Sequence, residues 1–96
     1  MYAVIRRYQS DAGRLDEIRR LIDEDFLPQL TGVQGFVSYY AFDDGTGDVA
    51  TVSVFLTKEK ADESVALARE WVQEHGGLLP SATEIFGGEV FSHGGS

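Results

Sequence analysis

Three side chains in the second half of the chain, Ser64, Trp71 and His75, combine residue types and spacing that suit a small pocket. Steps of seven and four residues place them along one edge of a helix. An imidazole can act as a general base near neutral pH, and an indole can form the wall of a pocket for a planar substrate. The alternative is structural, because Trp71 suits a core and a histidine in a last helical turn complements the helix dipole. Both interpretations stay open.

Arg6 and Arg7 are the second candidate, because they interrupt the apolar first segment MYAVIRRYQ. Adjacent strand residues point to opposite faces, so one arginine must face the helices and the other the far side of the sheet. A buried arginine either pairs with a carboxylate, here Glu89, or stabilises an anionic oxygen of a substrate. The ion pair is the more common arrangement.

Several hydroxyl groups lie among the apolar residues of the central segment. They can hydrogen-bond a phenolic or quinone oxygen of a substrate, or one another across neighbouring strands. The candidate catalytic residues are His75, Arg6 and Tyr40, and the candidate substrate-binding residues are Tyr39, Ser53, Ser64 and Trp71. No metal site is predicted, since the acidic turn Asp43–Asp48 lacks the spaced ligands of a calcium loop.

Four predicted strands and two predicted helices must position these side chains. The strands are predicted near residues 2–8, 35–42, 49–57 and 84–91, with a bulge in the last at Gly87 and Gly88. Ser10 or Asp11 is predicted to cap the first helix, which Pro28 ends; its apolar stripe is Leu15, Ile18, Ile22 and Phe26. Thr57 is predicted to cap the second helix, which Gly76 and Gly77 end before Pro80.

The order β-α-β-β-α-β predicts an α+β ferredoxin-like fold, in which a four-stranded antiparallel sheet carries both helices on one face. The first and third strands are then central. Alternation along the second strand predicts that one face of the strand carries Phe36, Ser38, Tyr40 and Phe42. Because two helices cover only one face, we expect a second copy to cover the other and form a dimeric α+β barrel. A monomer with a more exposed sheet is the alternative.

Composition limits the class of protein. A chain of 96 residues makes one domain, predicted over residues 1–92, with 93–96 as a flexible tail. A net charge of -8 disfavours binding to nucleic acid or to an anionic membrane. The chain has no cysteine, no signal-peptide core and no apolar run of membrane-spanning length, so we expect a cytoplasmic protein.

The order of elements, with the segments FLPQLTGVQGFVSYYAF and SVFLTKEKADESVALAREW, resembles the antibiotic biosynthesis monooxygenase-like group of dimeric α+β barrel proteins. Within that group the chain is most similar to small bacterial members that begin MYAVIRRY and end in a GEV strand. The resemblance implies a homodimer and an oxygenation, without a cofactor, of a small aromatic substrate of the phenol or quinol type. The alternative is a non-catalytic dimer that binds a small molecule or acts in a stress response, and a third is a structural dimer without a ligand.

The haem-degrading branch of the group differs from this chain at its defining positions. That branch has an asparagine on the first strand, a tryptophan at the end of the third and a histidine on the second helix. Here the first strand has Arg6 and Arg7, the third has Phe55, and the sequence contains no asparagine. Only His75 matches, so the resemblance does not extend to haem chemistry and no cofactor is expected.

Overall fold

The four strands form one antiparallel sheet in a computed structural model that describes residues 1–9, 12–75 and 82–95. The strands are β1 (Tyr2–Gln9), β2 (Phe36–Asp43), β3 (Asp48–Phe55) and β4 (Glu84–Glu89). Their order in the sheet is β2-β3-β1-β4, so β1 and β3 are central. The predicted ferredoxin-like α+β fold is confirmed.

The segment between β1 and β2 is helical but not one regular helix. It consists of a 3-10 turn (Ala12–Arg14), α1 (Leu15–Leu21), a π-helical turn (Ile22–Phe26) and α2 (Leu27–Thr31). The prediction that Pro28 ends the helix is therefore wrong. Proline lacks an N–H and crowds the carbonyl four residues before it. The wider π-helical turn directly before Leu27 relieves that crowding, so the chain stays helical to Thr31.

The helix α3 (Lys58–Glu74) begins as predicted. The hydroxyl oxygen of Thr57 accepts a hydrogen bond of 3.2 Å from the backbone N–H of Lys60, which satisfies one free amide of the first turn. The other predicted caps and breakers, Ser10, Asp11, Gly76, Gly77 and Pro80, lie outside the described residues. No helix in the described parts of the chain is long and apolar enough to cross a membrane.

The irregularity of the sheet lies in β2 and not in β4. All six residues of β4 pair in continuous register with β1, so the bulge predicted at Gly87 and Gly88 is wrong. Gly87 is needed for another reason, since a Cβ atom there would lie 3.0 Å from the ring of Tyr2. The bulge occurs between Phe36 and Ser38. It moves Phe36 to the helix side of the sheet, whereas Ser38 stays on the far side.

The core lies between the helices and one face of the sheet. That face carries an aromatic ring and hydroxyls from β3, namely Thr51, Ser53 and Phe55, which are all buried. The buried apolar residues of this layer are Val4, Tyr8, Ile18, Ile22, Phe26, Leu30, Phe55, Ala61, Ala68, Trp71 and Val72. The inner layer is therefore apolar overall, with a polar strip along the central strands.

The opposite face of the sheet, here called the open face, is apolar and uncovered. Register places Phe86, Ile5, Val52 and Tyr40 side by side across all four strands. The side chains of Phe86 and Tyr40 are each 67% exposed, and that of Ile5 is 40% exposed. A contiguous apolar row of this kind is typical of a surface that another protein covers.

Candidate functional site

Arg6 is buried on the helix side of the central strand β1, where it is 2% exposed. It lies opposite Thr51 of β3 and Ile85 of β4. The predicted ion pair with Glu89 is wrong, because Glu89 lies opposite Tyr2 and its carboxylate is 3.8 Å from the N-terminal amine. No described carboxylate pairs with Arg6, and its Nε and Nη1 atoms have no hydrogen-bond partner among the residues that the structure describes.

Arg7 faces the other side of the sheet, as strand alternation predicts. Its guanidinium lies 3.9 Å from the carboxylate of Asp48 and 3.8 Å from that of Glu84. These pairs are partly exposed, so each contributes little to stability. The two adjacent arginines therefore differ: the charge of Arg7 is partly solvated and paired, and that of Arg6 is buried without a counter-charge among the described residues.

Two phenols accompany Arg6 in the inner layer. Burial raises the pKa of Tyr8, and it raises the pKa of Tyr39 to about 12, although the charge of Arg6 and a hydrogen bond with Arg6 oppose both increases. Both side chains are therefore neutral at physiological pH and can donate hydrogen bonds. The hydroxyl oxygens of Thr51 and Ser53 are also buried, with no partner among the described residues. Buried polar groups are normally satisfied, so this strip is suited to a polar ligand or an ordered water.

Two neighbouring spaces lie on the helix side of the sheet near this strip. A cleft of about 210 Å³ lies between the first helical segment and the ends of β2 and β3, and its rim carries Arg19, Asp23 and Asp43. Behind it lies an inner pocket of about 20 Å³, lined among others by Arg6, Tyr8, Phe26, Thr51 and Trp71. Ile22, Tyr39 and Val49 line both spaces, so they form the partition between them.

Aromatic rings form one wall of the inner pocket. The ring of Phe26 lies 5.3 Å from that of Trp71 and 5.8 Å from that of Tyr39, measured between centroids. These separations are typical of favourable edge and tilted contacts. Trp71 and Phe26, the latter from the π-helical turn, therefore line the inner pocket side by side; that this wall binds a planar substrate stays a prediction.

His75 lies beside this wall, with one ring nitrogen hydrogen-bonded and the other near a carboxylate. Nδ1 is 2.8 Å from the carbonyl oxygen of Trp71, which can only accept, so Nδ1 carries the hydrogen. Nε2 is 3.7 Å from Oδ2 of Asp25, and the imidazole stacks on the indole of Trp71 at 4.2 Å. Since His75 does not line the inner pocket, it contacts the wall rather than the polar strip.

The other predicted site residues lie apart from this pocket or on its margin. Ser64 is buried, and its hydroxyl donates a hydrogen bond of 2.6 Å to the carbonyl of Ala61. Tyr40 lies on the open face, opposite Val52, whereas its neighbour Tyr39 faces the helices. The structure thus brings together Arg6, Tyr39, Ser53 and Trp71 on one side of the sheet, and it separates Tyr40 from them.

Sequence reasoning missed three residues of this region. Tyr8 and Thr51 each lie two positions from a chosen residue, Arg6 or Ser53, and alternation along a strand would have placed them on the same face. Asp25 gave no signal, because it lies on a polar helical stretch between Glu24 and Phe26. Within the described ranges, no group of three or more histidine, aspartate or glutamate side chains could hold a metal ion.

A ferredoxin-like domain with a pocket between its helices and its sheet is the architecture of antibiotic biosynthesis monooxygenase-like proteins, and solved structures bear out this likeness in fold. A protein of unknown function from Nitrosomonas europaea superposes with a TM-score of 0.78 at 15% identity, over 99% of this chain and 93% of that chain. A proposed antibiotic biosynthesis monooxygenase from Chloroflexus aurantiacus gives 0.70 at 17% identity, over 97% and 96%.

The ActVA-Orf6 monooxygenase of Streptomyces coelicolor, solved in complex with nanaomycin D, gives a TM-score of 0.68 at 15% identity, over 96% of this chain and 92% of that chain. At such low sequence identities the likeness shows a shared fold, and it does not show a shared substrate or mechanism. No protein-family model and no curated protein matches the chain. The activity must therefore be argued from the pocket itself.

Proposed function

We propose that the protein is a cofactor-independent monooxygenase that acts on a small electron-rich aromatic substrate of the phenol or quinol type. The observation that carries the proposal is the buried charge of Arg6. Two of its nitrogens have no partner within the described ranges, and they lie beside neutral phenols and an aromatic wall. An uncompensated cation is costly to bury. It is useful where a negative charge develops on a ligand during reaction.

In this proposal the phenolic oxygen of the substrate lies at Arg6. The guanidinium favours the ionised phenolate, since an adjacent positive charge in a dry site lowers the pKa of an acidic group. Tyr39 donates a second hydrogen bond to the same oxygen, because its raised pKa of about 12 keeps it protonated. Phe26 and Trp71 line the inner pocket that receives this oxygen, and Thr51 offers a further donor from β3.

The redox step needs no oxidant other than O₂ and no reductant other than the substrate. The proton that the phenol loses passes to solvent through the cleft, and solvent later returns the one proton that the peroxide takes up. The ionised substrate gives one electron to O₂, and the substrate radical and superoxide combine into a C–O bond; one proton converts this peroxide into a hydroperoxide. Loss of water then leaves a carbonyl at a carbon that was a ring CH or a bridging CH₂. One oxygen atom ends in the product and the other in water, and the substrate supplies all four electrons. The protein supplies orientation, a dry site and stabilisation of negative charge.

The cleft limits the size of the substrate. Its volume of about 210 Å³ is below the roughly 300 Å³ at which drug-sized ligand pockets begin. The inner pocket alone has room for about one water molecule. The ring of the substrate therefore occupies the cleft, and a rotation of Tyr39, which forms part of the partition, admits its oxygen to Arg6.

The remaining candidates receive other roles in this proposal. His75 can approach a substrate only if its contacts with Asp25 and Trp71 break, so it is assigned the positioning of Trp71 rather than proton transfer. Tyr40 is assigned to the surface between two subunits. The apolar open face supports a homodimer, in which the sheets of two copies cover each other.

Oxygen uptake with a panel of hydroquinones and anthrones tests the proposal. At least one member should consume O₂ faster with the protein than without it. Arg6→Met should lower kcat/KM for that substrate by about 100-fold or more, the range for loss of one charge-stabilising group. Arg7→Met is the matched control, because it removes an adjacent arginine on the opposite face. The enzymatic function would be refuted if the protein accelerated O₂ uptake with no compound of the panel. It would also be refuted if Arg6→Met and Arg7→Met lowered kcat/KM equally.

A non-catalytic ligand-binding protein is the second candidate function. It is favoured by one observation: the described lining of the inner pocket contains donors and aromatic rings but neither a carboxylate nor an imidazole to accept a proton. Such a protein would bind phenolates through Arg6 and release them unchanged. Equilibrium binding of the same phenols, lost in Arg6→Met and retained in Arg7→Met without any O₂ uptake, would identify this function instead.

A further inference from the structure

A third space, here called the rear cavity, lies on the other side of Arg6. It has a volume of about 140 Å³ and lies between β1, the second half of α3 and Ala82. Its described lining consists of Arg6, Tyr8, Arg69, Val72, Gln73 and Ala82. Arg6, Tyr8 and Val72 also line the inner pocket, so these residues form a wall between the two spaces.

All four polar side chains in the described lining of the rear cavity can donate hydrogen bonds. Arg69 and Gln73 are four residues apart on α3, so they lie on the same face of that helix. Arg69 makes no ion pair with the carboxylates that the structure describes. Glu70 and Glu74, the acidic neighbours on α3, are not among the described residues that line the cavity, whereas Arg69 and Gln73 line it with side chains that are partly open to solvent. The described lining of the cavity is therefore positive, in a protein of negative net charge.

We propose that the rear cavity binds a small carboxylate, held between the guanidinium groups of Arg6 and Arg69 and the amide of Gln73. Guanidinium groups recognise carboxylates in particular, because two parallel N–H donors match the two oxygens. Arg6 is 2% exposed and has unpaired donors at Nε and Nη1, which the carboxylate would satisfy. Tyr8 adds a phenolic hydroxyl on the same wall.

The volume of the rear cavity sets the size of this ligand. A water molecule takes about 30 Å³ in the liquid, so about 140 Å³ corresponds to four or five waters. A carboxylate of a few carbon atoms, such as acetate, fits this space, and an extended fatty acid does not. The site goes beyond the proposed oxygenation, since no aromatic ring or O₂ is involved. Arg6 is the one ligand-binding group that the two sites share, because it lines both the inner pocket and the rear cavity.

A titration of the ¹⁵N-labelled protein with sodium acetate, followed by two-dimensional NMR, tests the proposal. Backbone amide signals of Arg6, Tyr8, Arg69 and Gln73 should shift and saturate together, with one dissociation constant. Sodium chloride at the same ionic strength is the reference, because it supplies an anion without the planar pair of oxygens. Shifts that do not saturate, or equal shifts with chloride, would overturn the carboxylate site.

Substitution of Arg69 locates the site. Arg69→Gln should weaken acetate binding at least tenfold, whereas Arg20→Gln, which removes an exposed charge from α1, should leave the dissociation constant unchanged. Gln73→Leu should also weaken binding, since it removes the amide and keeps the bulk of the side chain. Equal affinities in the wild type and Arg69→Gln would overturn the assignment. This result would leave the oxygen-uptake experiment unaffected, because Arg69 lines neither the cleft nor the inner pocket.

Discussion

Oδ2 of Asp25 accepts a hydrogen bond of 2.6 Å from Nε1 of Trp71, and this contact joins the π-helical turn Ile22–Phe26 to α3. Trp71 is nearly buried, and its indole N–H would lose this partner if the turn were differently wound. The same carboxylate oxygen lies 3.7 Å from Nε2 of His75, which stacks on the indole. Asp25 therefore fixes the orientation of the aromatic wall, although it is outside the pocket that the wall encloses.

Removal of this carboxylate should destabilise the fold. Asp25→Ala should lower the free energy of unfolding by about 1–2 kcal/mol, because a nearly buried indole N–H loses a charged acceptor. Urea unfolding at a fixed protein concentration measures the change. Glu24→Ala is the control, since Glu24 is an exposed acidic residue of the same turn. In a Trp71→Phe background the cost of Asp25→Ala should disappear; an undiminished cost there would mean that Asp25 acts through another contact.

Replacement of Arg6 should have the opposite effect on stability. Arg6→Met removes a buried charge without a counter-charge and keeps an unbranched side chain, so the free energy of unfolding should rise by roughly 1 kcal/mol or more. Phenol binding should be lost in the same variant, as expected where function is maintained at the expense of stability. Urea unfolding of Arg6→Met and Arg7→Met side by side provides the comparison. A loss of stability in Arg6→Met would contradict the prediction and indicate that the guanidinium is a structural group.

The order of the helices and strands could be predicted because each has its own hydrophobic periodicity and has capping or turn residues at its ends. For α3, the sequence shows both the apolar stripe, which includes Ala61, Ala68 and Val72, and the cap at Thr57. The bulge in β2 was missed because Phe36 and Val37 are both apolar, so the alternation that would reveal an extra residue is absent. The π-helical turn was missed because Ile22 and Phe26 keep ordinary helical spacing across it.

The site was predicted less well than the fold, for a related reason. Sequence alternation shows that Arg6 and Arg7 point to opposite faces but not which of them the helices cover. The same holds for Tyr39 and Tyr40, because a shift of one residue exchanges the faces of a strand. The helix side is determined by packing, which places Arg6 and Tyr39 inside and Arg7 and Tyr40 outside. Asp25 approaches Trp71 across 46 residues of sequence, a contact that no local pattern encodes.

A charge on the open face should abolish the proposed dimer. Ile5 lies at the centre of the apolar row, between Val52 and Phe86, so Ile5→Asp would place a carboxylate where two sheets meet. Sedimentation of the wild type should give a species of twice the 10.6 kDa chain mass, and that of the variant a monomer. Ala66→Asp, on the exposed side of α3, should remain dimeric. A wild-type monomer would refute the dimer.

The raised pKa of Tyr39 makes stability depend on alkaline pH in a defined range. An unperturbed phenol has a pKa of 10.0, and burial raises that of Tyr39 to about 12 in the folded protein. Below pH 10 the phenol is neutral in both states and its contribution to stability is complete. Between pH 10 and about 12 the unfolded chain loses the proton and the folded chain keeps it, so stability falls as pH rises, by at most about 1.4 kcal/mol per pH unit.

Tyr39→Phe should remove this part of the pH dependence. Urea unfolding of the wild type and of the variant, at steps between pH 9 and pH 11.5, gives the difference in the free energy of unfolding at each pH. That difference should change little below pH 10 and should then shift in favour of the variant as the pH rises. If Tyr39→Phe and the wild type lose stability in parallel, the phenol of Tyr39 is not held in its neutral form by burial, and its assignment as a hydrogen-bond donor to a phenolate fails.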